Sequence, residues 1–486
     1  MKKLFFLILT VTVLASCSDL TDLNKDPKNP AKVSGETLFS NAQKELGDFL
    51  SSTNVNINIF KLVSQYWTET TYTDEANYDL SGRQIPSNDW SILYRNVLKD
   101  LDQSSKLIAD DNTIPAGVKQ NEQACIEIMK VLTYSNMVNI WGDIPYSEAL
   151  NIDNTLPKYD DGMSIYKDLV KRLDAAKNKL DPSNGGFGSA DLIYGSSSNS
   201  IEEWIKFANS IKLRMGITIA DVDAQTAQQW IQDAAPNAFT SNDDNALIYY
   251  KPSPPNTNPL WEDLVQSGRA DFVAANTVVD TMNAINDPRR GEYFTAKPDT
   301  TIFVGGYYAA NNKYGNYSHP GDKVEEPTFP GIYMQYSEVA FIKAEAVERG
   351  FLNGSAEQHY NNGIRASMEY WGVADQDIQD YLNQSDVAYN SAPGDFKAKI
   401  GLQKWLALYL QGLQAWTEFR RLDNPTLNAR YYYDRSGNLQ QNDQEDVPKR
   451  FTYPIKEQNV NTAQYNKASD AIGGDDVSTK LFWDVN

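Results

Sequence analysis

The stretch QYWTETTYTDEANYDLSGRQIPSNDW, residues 65–90, sets Trp67, Tyr72, Tyr78, Arg83 and Trp90 among Thr, Asp, Asn and Ser. A single buried face would repeat its large side chains every 3.6 or every two residues. This spacing does neither, so some of the rings are expected at the surface. An exposed ring offers flat apolar area, and neighbouring amides, carboxylates and guanidinium offer hydrogen bonds. That mixture can hold a flat, hydroxylated ligand such as a sugar. Arg83 or Asn88 would fix hydroxyls, and one of the two tryptophans is expected in the core. A second stretch, FVGGYYAANNKYGNYSHP at 303–320, carries Tyr307, Tyr308, Tyr314 and Tyr317 between glycines and asparagines. Glycine lets backbone approach a ligand closely. Trp261, just beyond a run of four prolines in 251–259, completes the candidate binding set.

Covalent chemistry has fewer parts. The two histidines are His319 and His359. No H-E-x-x-H, Walker A or G-x-S-x-G pattern occurs. A glycosidase needs just two suitably separated carboxylates, and 64 acidic residues leave that class open. The alternatives to a binding protein are therefore an all-helical toroidal glycoside hydrolase and a structural surface adhesin. Asp22, Asn24 and Asp26 have calcium-loop spacing, but Pro27 and Val33 stand where an EF-hand needs Gly and a bidentate Glu. We read Asx-turns there and expect no metal and no cofactor. The formal charge of −20 repels phosphate backbones, so nucleic acid is excluded as a partner.

The elements that must position these residues begin after a leader. Lys2 and Lys3 precede an uncharged run, Leu4 to Ala15, too short to span a bilayer as a helix. It has the form of a signal peptide. Leu14-Ala15-Ser16-Cys17 places a thiol where a bacterial lipobox has its lipidated cysteine. Residues 1–16 are thus expected to be removed, Cys17 to carry the lipid, and 17–35 to form a tether. With Cys17 acylated, Cys125 has no disulfide partner and reads as a small core residue.

From 36 to 486 we expect one mostly helical domain. Apolar spacing of three and four marks helices over 36–50, 88–109, 122–140, 162–180, 201–220, 333–350 and 399–422. Arg420 and Arg421 fall in the last turn of the final one, where cations suit the helix dipole. Trp141-Gly142-Asp143 with Pro145 reads as a helix stop. Strand alternation is short, best at Ala246–Tyr250 and Thr301–Val304. Ala344, Ala356, Tyr360 and Gly363 have the small–small–aromatic–small spacing of a tetratricopeptide-like helix pair. The breaks at 181–200, 251–259 and 296–330 are long enough to be functional loops.

Several segments together resemble the SusD/RagB family of Bacteroidetes outer-membrane nutrient-binding lipoproteins, in its SusD-like branch. They are SCSDLTDLNKDPKNP after the lipobox, NIWGDIPYSEAL at 139–150, and ADLIYG with EEWIKFANSIKLRMGI within 190–217. YMQYSEVAFIKAEAVERG at 333–350, IGLQKWLALYLQGLQAWTEFRRLDNP, VPKRFTYPIKEQNVN and the terminal LFWDVN follow in order. Leu422-Asp423 depart from the family's usual Thr-Gly, and SSSNSIEE replaces a shorter link before Trp204. The resemblance implies a mostly helical fold with tetratricopeptide-like helix pairs, long irregular loops and a few short strands. It implies a surface lipoprotein, anchored to the outer membrane and facing the exterior, that binds oligosaccharides or peptides without cleaving them. Its partner would be a TonB-dependent, SusC-like outer-membrane transporter.

Overall fold

The computed structural model describes residues 33–442 and 447–486. The leader, Cys17 and the Asp22–Asp26 turn lie outside the described residues.

Helices dominate; several pack mainly on a sequence neighbour, whereas Gly35–Ser51 packs mainly on the more distant Lys99–Asp110. Gly35–Ser51 opens the fold, its N-terminus capped by Ser34, whose hydroxyl accepts from the Thr37 amide at 3.2 Å. A continuous helical run covers Ile85–Asp110 and widens into a π-helical stretch over Ile92–Leu98. Ala116–Trp141 is buried almost all round from Ala124 onward. A helix that is apolar on every side belongs in the middle of a large core, and this one carries Gly162–Lys177 and Lys99–Asp110 on its flanks. Ser200–Thr218 joins that group to Tyr336–Glu348, which packs against Ala356–Trp371 and Phe396–Ala407.

The repeat spacing marks a true helix pair. Tyr336–Glu348 and Ala356–Trp371 meet where Ala344, Ala356 and Tyr360 are buried in one apolar cluster. The Tyr360 ring meets Phe341 edge-on at 6.0 Å. A Cβ at Gly363 would lie 2.8 Å from the Phe341 ring, so a larger residue there would separate the helices. Gly142 ends Ala116–Trp141 with φ +85°, and the Asp143 carboxylate accepts from the Gly162 amide at 2.8 Å, tying one helix end to the next helix start.

Two expectations are corrected. The helix expected over 399–422 is two, Phe396–Ala407 and Gly412–Leu422. Leu410 takes φ +70° in the break, and Gly412 sits where a Cβ would lie 2.5 Å from the Phe60 carbonyl carbon. Arg420 and Arg421 do stand in the last turn of Gly412–Leu422, and both are fully buried. Arg421 chelates Glu345 and reaches Glu418 at 2.6 Å, while Arg420 stacks 3.5 Å above the Trp416 ring. Thr301–Val304 forms no strand: Val304 bonds across to Ser318 instead, at 2.8 Å through its carbonyl. The strand at Ala246–Ile248 does form, paired antiparallel with Gly331–Met334.

Candidate functional site

The strand pair Trp67–Glu69 and Phe272–Ala274 is the base of the site. Its residues are buried, and its antiparallel register sets Trp67 opposite Ala274 and Glu69 opposite Phe272. Loop 70–84 leaves and the segment 267–271, which follows the short helical turn Glu262–Gln266, arrives at the same end, where Glu69 faces Phe272 and the Thr70 amide donates to the Asp271 carbonyl at 2.8 Å. The third loop, 303–318, is stitched onto this ribbon: the Ala274 amide donates to Ser318 at 2.9 Å, Asn312 N–H to Thr70 at 3.0 Å, and the Ala309 amide to the Thr68 hydroxyl at 3.0 Å. Gly306 permits that closeness, since a Cβ there would meet Val273 at 2.7 Å. A hairpin, Tyr431–Tyr433 with Leu439–Gln441, is hung beside it by the Tyr431 amide on the Tyr308 carbonyl, 2.8 Å.

Between these loops runs a groove with two compartments that share Thr71, Arg269 and Asp271. The narrower holds about 260 Å³ and is walled by Asn54, Asn56, Tyr72, Arg83 and Asp263, with Glu69 at its floor. The wider holds about 940 Å³ and is lined by Asn311, Lys313, Tyr314, Asn316, Tyr317 and Tyr433. Arg269 and Asp271, ion-paired at 3.1 Å through Nη2, form the ridge between them. Tyr72 is 70% exposed and sits at φ +56°. Gln65, Tyr78, Gln84 and Ala309 around the same loops also have positive φ. Strained backbone of this kind persists where the surrounding structure over-determines it, and it clusters at functional sites. None of the Tyr72, Tyr314, Tyr317 and Tyr433 hydroxyls has a hydrogen-bond partner among the described residues.

The floor is electrostatically tense. Burial pushes the Asp263 carboxyl up to about 6, against the pull of the Thr53 amide and Lys61. Burial likewise lowers Lys61 to about 7; its ammonium donates to the Ser51 and Ser52 carbonyls at 2.8 and 2.9 Å. Glu69 is pushed well up by burial, with Glu75 beside it and the Ala76 amide donating to it at 2.9 Å. Glu75 is itself clasped by Arg83. The groove therefore has the Glu69 carboxyl, pushed toward its neutral form by burial, at its floor, the Arg269–Asp271 pair on its ridge and the Arg83 guanidinium on the wall of its narrow compartment. Among the described residues no cluster of His, Cys, Asp and Glu is arranged to hold a metal.

The structure divides the sequence candidates. Tyr72, Arg83, Tyr314 and Tyr317 line the groove. Tyr307, 38% exposed, stands at the rim with its ring 5.4 Å from Tyr431. Trp67 does not reach it: the indole is fully buried and donates to the Tyr409 hydroxyl at 2.9 Å. Tyr308 is equally buried, its hydroxyl donating to the Leu62 carbonyl at 2.8 Å. Trp90 packs edge-on against Trp141 at 5.1 Å, in a separate aromatic cluster. Trp261 is half-buried in the short helix Pro259–Trp261 and lines neither compartment. Sequence reasoning missed Arg269, Asp271 and Tyr433. Three consecutive tyrosines before the turn residues Asp-Arg-Ser-Gly at 434–437 were the available signal for the hairpin.

A helical scaffold that carries an open groove of tyrosines, amides and paired charges on irregular loops defines a binding protein. Residues 27–454 match the SusD-like family model described as "Starch-binding associating with outer membrane". The chain belongs to that SusD-like family. A solved structure titled chitin-binding protein is 26% identical, with TM-score 0.79, covering 93% of this chain and 100% of that one. A SusD homologue from Bacteroides uniformis is also 26% identical, with TM-score 0.74, covering 92% and 99%. A chitin-binding SusD homologue from Flavobacterium johnsoniae, 23% identical with TM-score 0.76 over 93% and 98%, shares the fold. Among curated proteins, an aldolase for 2-dehydro-3-deoxy-gluconate and its phosphate from Picrophilus torridus is 28% identical over 142 residues. That match spans 28% of this chain and about half the length of the aldolase, 50%. The family is described by binding rather than catalysis, and this chain is not an enzyme.

Proposed function

We propose that this protein is a cell-surface lipoprotein that captures an extracellular glycan in the groove and delivers it to a TonB-dependent outer-membrane transporter. The observation that carries the reading is the groove itself: four unpartnered tyrosine hydroxyls beside Asn311, Asn316 and the Arg269–Asp271 ridge, in a chain of a family described as starch-binding. Ring faces would take the apolar faces of sugar rings, and the amides and charged pair would orient hydroxyls. The acidic surface and the carboxylates of the groove favour a neutral glycan over an anionic one. The lipobox at Cys17 supports anchoring by lipid, and no described helix is long and apolar enough to cross a membrane.

Isothermal titration against chito-oligosaccharides, malto-oligosaccharides, a uronic-acid oligosaccharide and peptides tests this directly. Saturable binding of a neutral oligosaccharide is the expected result. Binding of peptides alone would replace the ligand class, and heat from none of the panel would remove the capture reading. Co-purification with an outer-membrane transporter from the native membrane tests delivery. Release of Cys17→Ala from the membrane fraction tests the anchor.

A further inference from the structure

A second surface shares the chemistry of the groove and is joined to it by one helix. Thr37, Ser40, Asn41, Lys44 and Asp48 fall at i, i+3, i+4, i+7 and i+11 of Gly35–Ser51, so they occupy one face. The first four border a cleft of about 320 Å³ whose other wall is the chain from Ile248 to Lys251, with Asn256 at its end. The next turn of the helix leads to Ser51 and Ser52, and directly beyond them Thr53 and Asn54 wall the narrow compartment of the groove. From Ser40 to Ser51 the helix advances about 16 Å, a span that an extended chain of several sugar units covers.

The cleft is built rather than incidental. Tyr250 turns inward and its hydroxyl donates to Asp48 at 2.9 Å, while Lys44 ion-pairs the same carboxylate. Ile248 packs so closely on the helix that a Cβ at Gly47 would lie 2.9 Å from it. Alternation along the extended chain then forces Tyr249 outward, where it is 64% exposed. Such a ring, unburied although its neighbours are tightly packed, presents a flat face flanked by the amides of Asn41 and Asn256. These are the same group types that line the main groove.

We propose that Tyr249 centres a second glycan-contact site, occupied by a distal stretch of the same polysaccharide chain that lies in the groove. The proposal rests on the glycan-binding reading above and deepens it: the ligand is a polymer held at two points rather than a short oligosaccharide. Two weak contacts on one chain make the second an intramolecular event, so affinity for polymer exceeds affinity for a fragment that fills one site.

The test uses the full chain, with Tyr249→Ala and Tyr317→Ala variants. Retention on insoluble chitin and on starch granules is measured beside titration with chitotetraose and maltotetraose. Tyr249→Ala should lose about tenfold or more in polymer affinity and keep tetrasaccharide affinity within about twofold. Tyr317→Ala should lose both. Tyr249→Phe, which keeps the ring, should retain polymer binding. Wild-type polymer retention by Tyr249→Ala overturns the second site and leaves the groove intact. Equal losses on polymer and tetrasaccharide also overturn it, by making Tyr249 part of the first site. Failure of the glycan reading is seen separately, in a wild-type chain that binds neither tetrasaccharide nor polymer.

Discussion

Two aromatic assemblies of similar composition behave in opposite ways. Around Trp90, the rings of Tyr94, Trp141, Tyr159 and Tyr453 meet at centroid distances of 4.9 to 6.4 Å. Their polar atoms are answered from within: Trp141 donates to the Thr452 carbonyl at 3.2 Å and Tyr453 to the Asp143 carbonyl at 2.9 Å. In the groove, Tyr72 and Tyr433 are exposed and Tyr314 and Tyr317 half-buried, Tyr314 with one face stacked on His319 at 3.7 Å, and none of the four hydroxyls has a hydrogen-bond partner among the described residues. Residue type does not separate scaffold from site here. What separates them is whether the surrounding chain answers the polar tips, as carbonyls do for Tyr94, Trp141 and Tyr453 and the Glu457 carboxylate does for Tyr159. Helix ends and the closing segment supply those partners around Trp90, and the long loops supply none to the four groove hydroxyls among the described residues.

Trp67 gives the largest expected break in that comparison. It lies in the same sequence stretch as Tyr72 but belongs to the scaffold. Trp67→Ala should destabilise the fold by about 3–5 kcal/mol, since it empties a large core site and removes one of the two hydrogen bonds of the Tyr409 hydroxyl, which still donates to the Tyr293 carbonyl at 3.1 Å. Chemical denaturation reads that loss. A midpoint equal to wild type, with weakened ligand binding, would put Trp67 in the site instead.

The helices were legible because apolar residues recur at three and four, and that period survives any loop geometry. The helix pair at 336–371 was legible from four small and aromatic positions, because close packing tolerates nothing larger at Gly363. The break at Leu408–Gln411 was not, because a continuous apolar stripe hides a turn whose need arises from Phe60, far away in sequence. Irregular aromatic spacing marked loops that border the groove but did not separate the rings that line it from those buried beneath it. Tyr307 and Tyr308 are adjacent and identical in type, yet one is at the rim and the other is buried beneath it. Arg269 and Asp271 gave no pattern, since their role comes from a strand pairing between segments two hundred residues apart.

The carboxylates extend the comparison to pH. Burial alone would raise Glu418, but Arg421 and Lys404 overcome it and hold the carboxyl down at about 2. Its folded value lies below its unfolded value, so its stabilisation is complete above the unfolded range and is lost as pH falls from about 4.5 toward 2. Two to three units correspond to about 3 kcal/mol. Asp263 runs the other way: burial raises it to about 6, so its contribution is present at low pH and is lost as pH rises through 6. Glu418→Gln should flatten the acid limb of the melting-temperature profile. Asp263→Asn should raise stability at pH 7 by about 1 kcal/mol after solvent screening. Parallel profiles for the two variants would remove the distinction between scaffold and groove carboxylates.

Tyr317→Ala probes the groove without touching the core. Tyr317 is half-buried at the groove wall and outside the core, so the substitution should cost about 1 kcal/mol or less in stability, and the melting temperature should fall far less than in Trp67→Ala. Loss of one stacking ring should weaken the bound oligosaccharide about fivefold to tenfold, near 1 kcal/mol. A clear drop in melting temperature with unchanged affinity would assign Tyr317 to the scaffold.

Tyr307 carries the smallest expected effect, because it stands between the two assemblies. Its ring leans on Tyr431 at an angle of 50°, so part of its surface braces the hairpin and part faces solvent. Tyr307→Ala should therefore cost less affinity than Tyr317→Ala, about twofold to threefold, and act through the placement of Tyr433 rather than through direct stacking. The double variant with Tyr433→Ala distinguishes the two routes. If Tyr307 works by holding the hairpin, its effect vanishes once Tyr433 is gone; if it stacks on ligand itself, the two losses add.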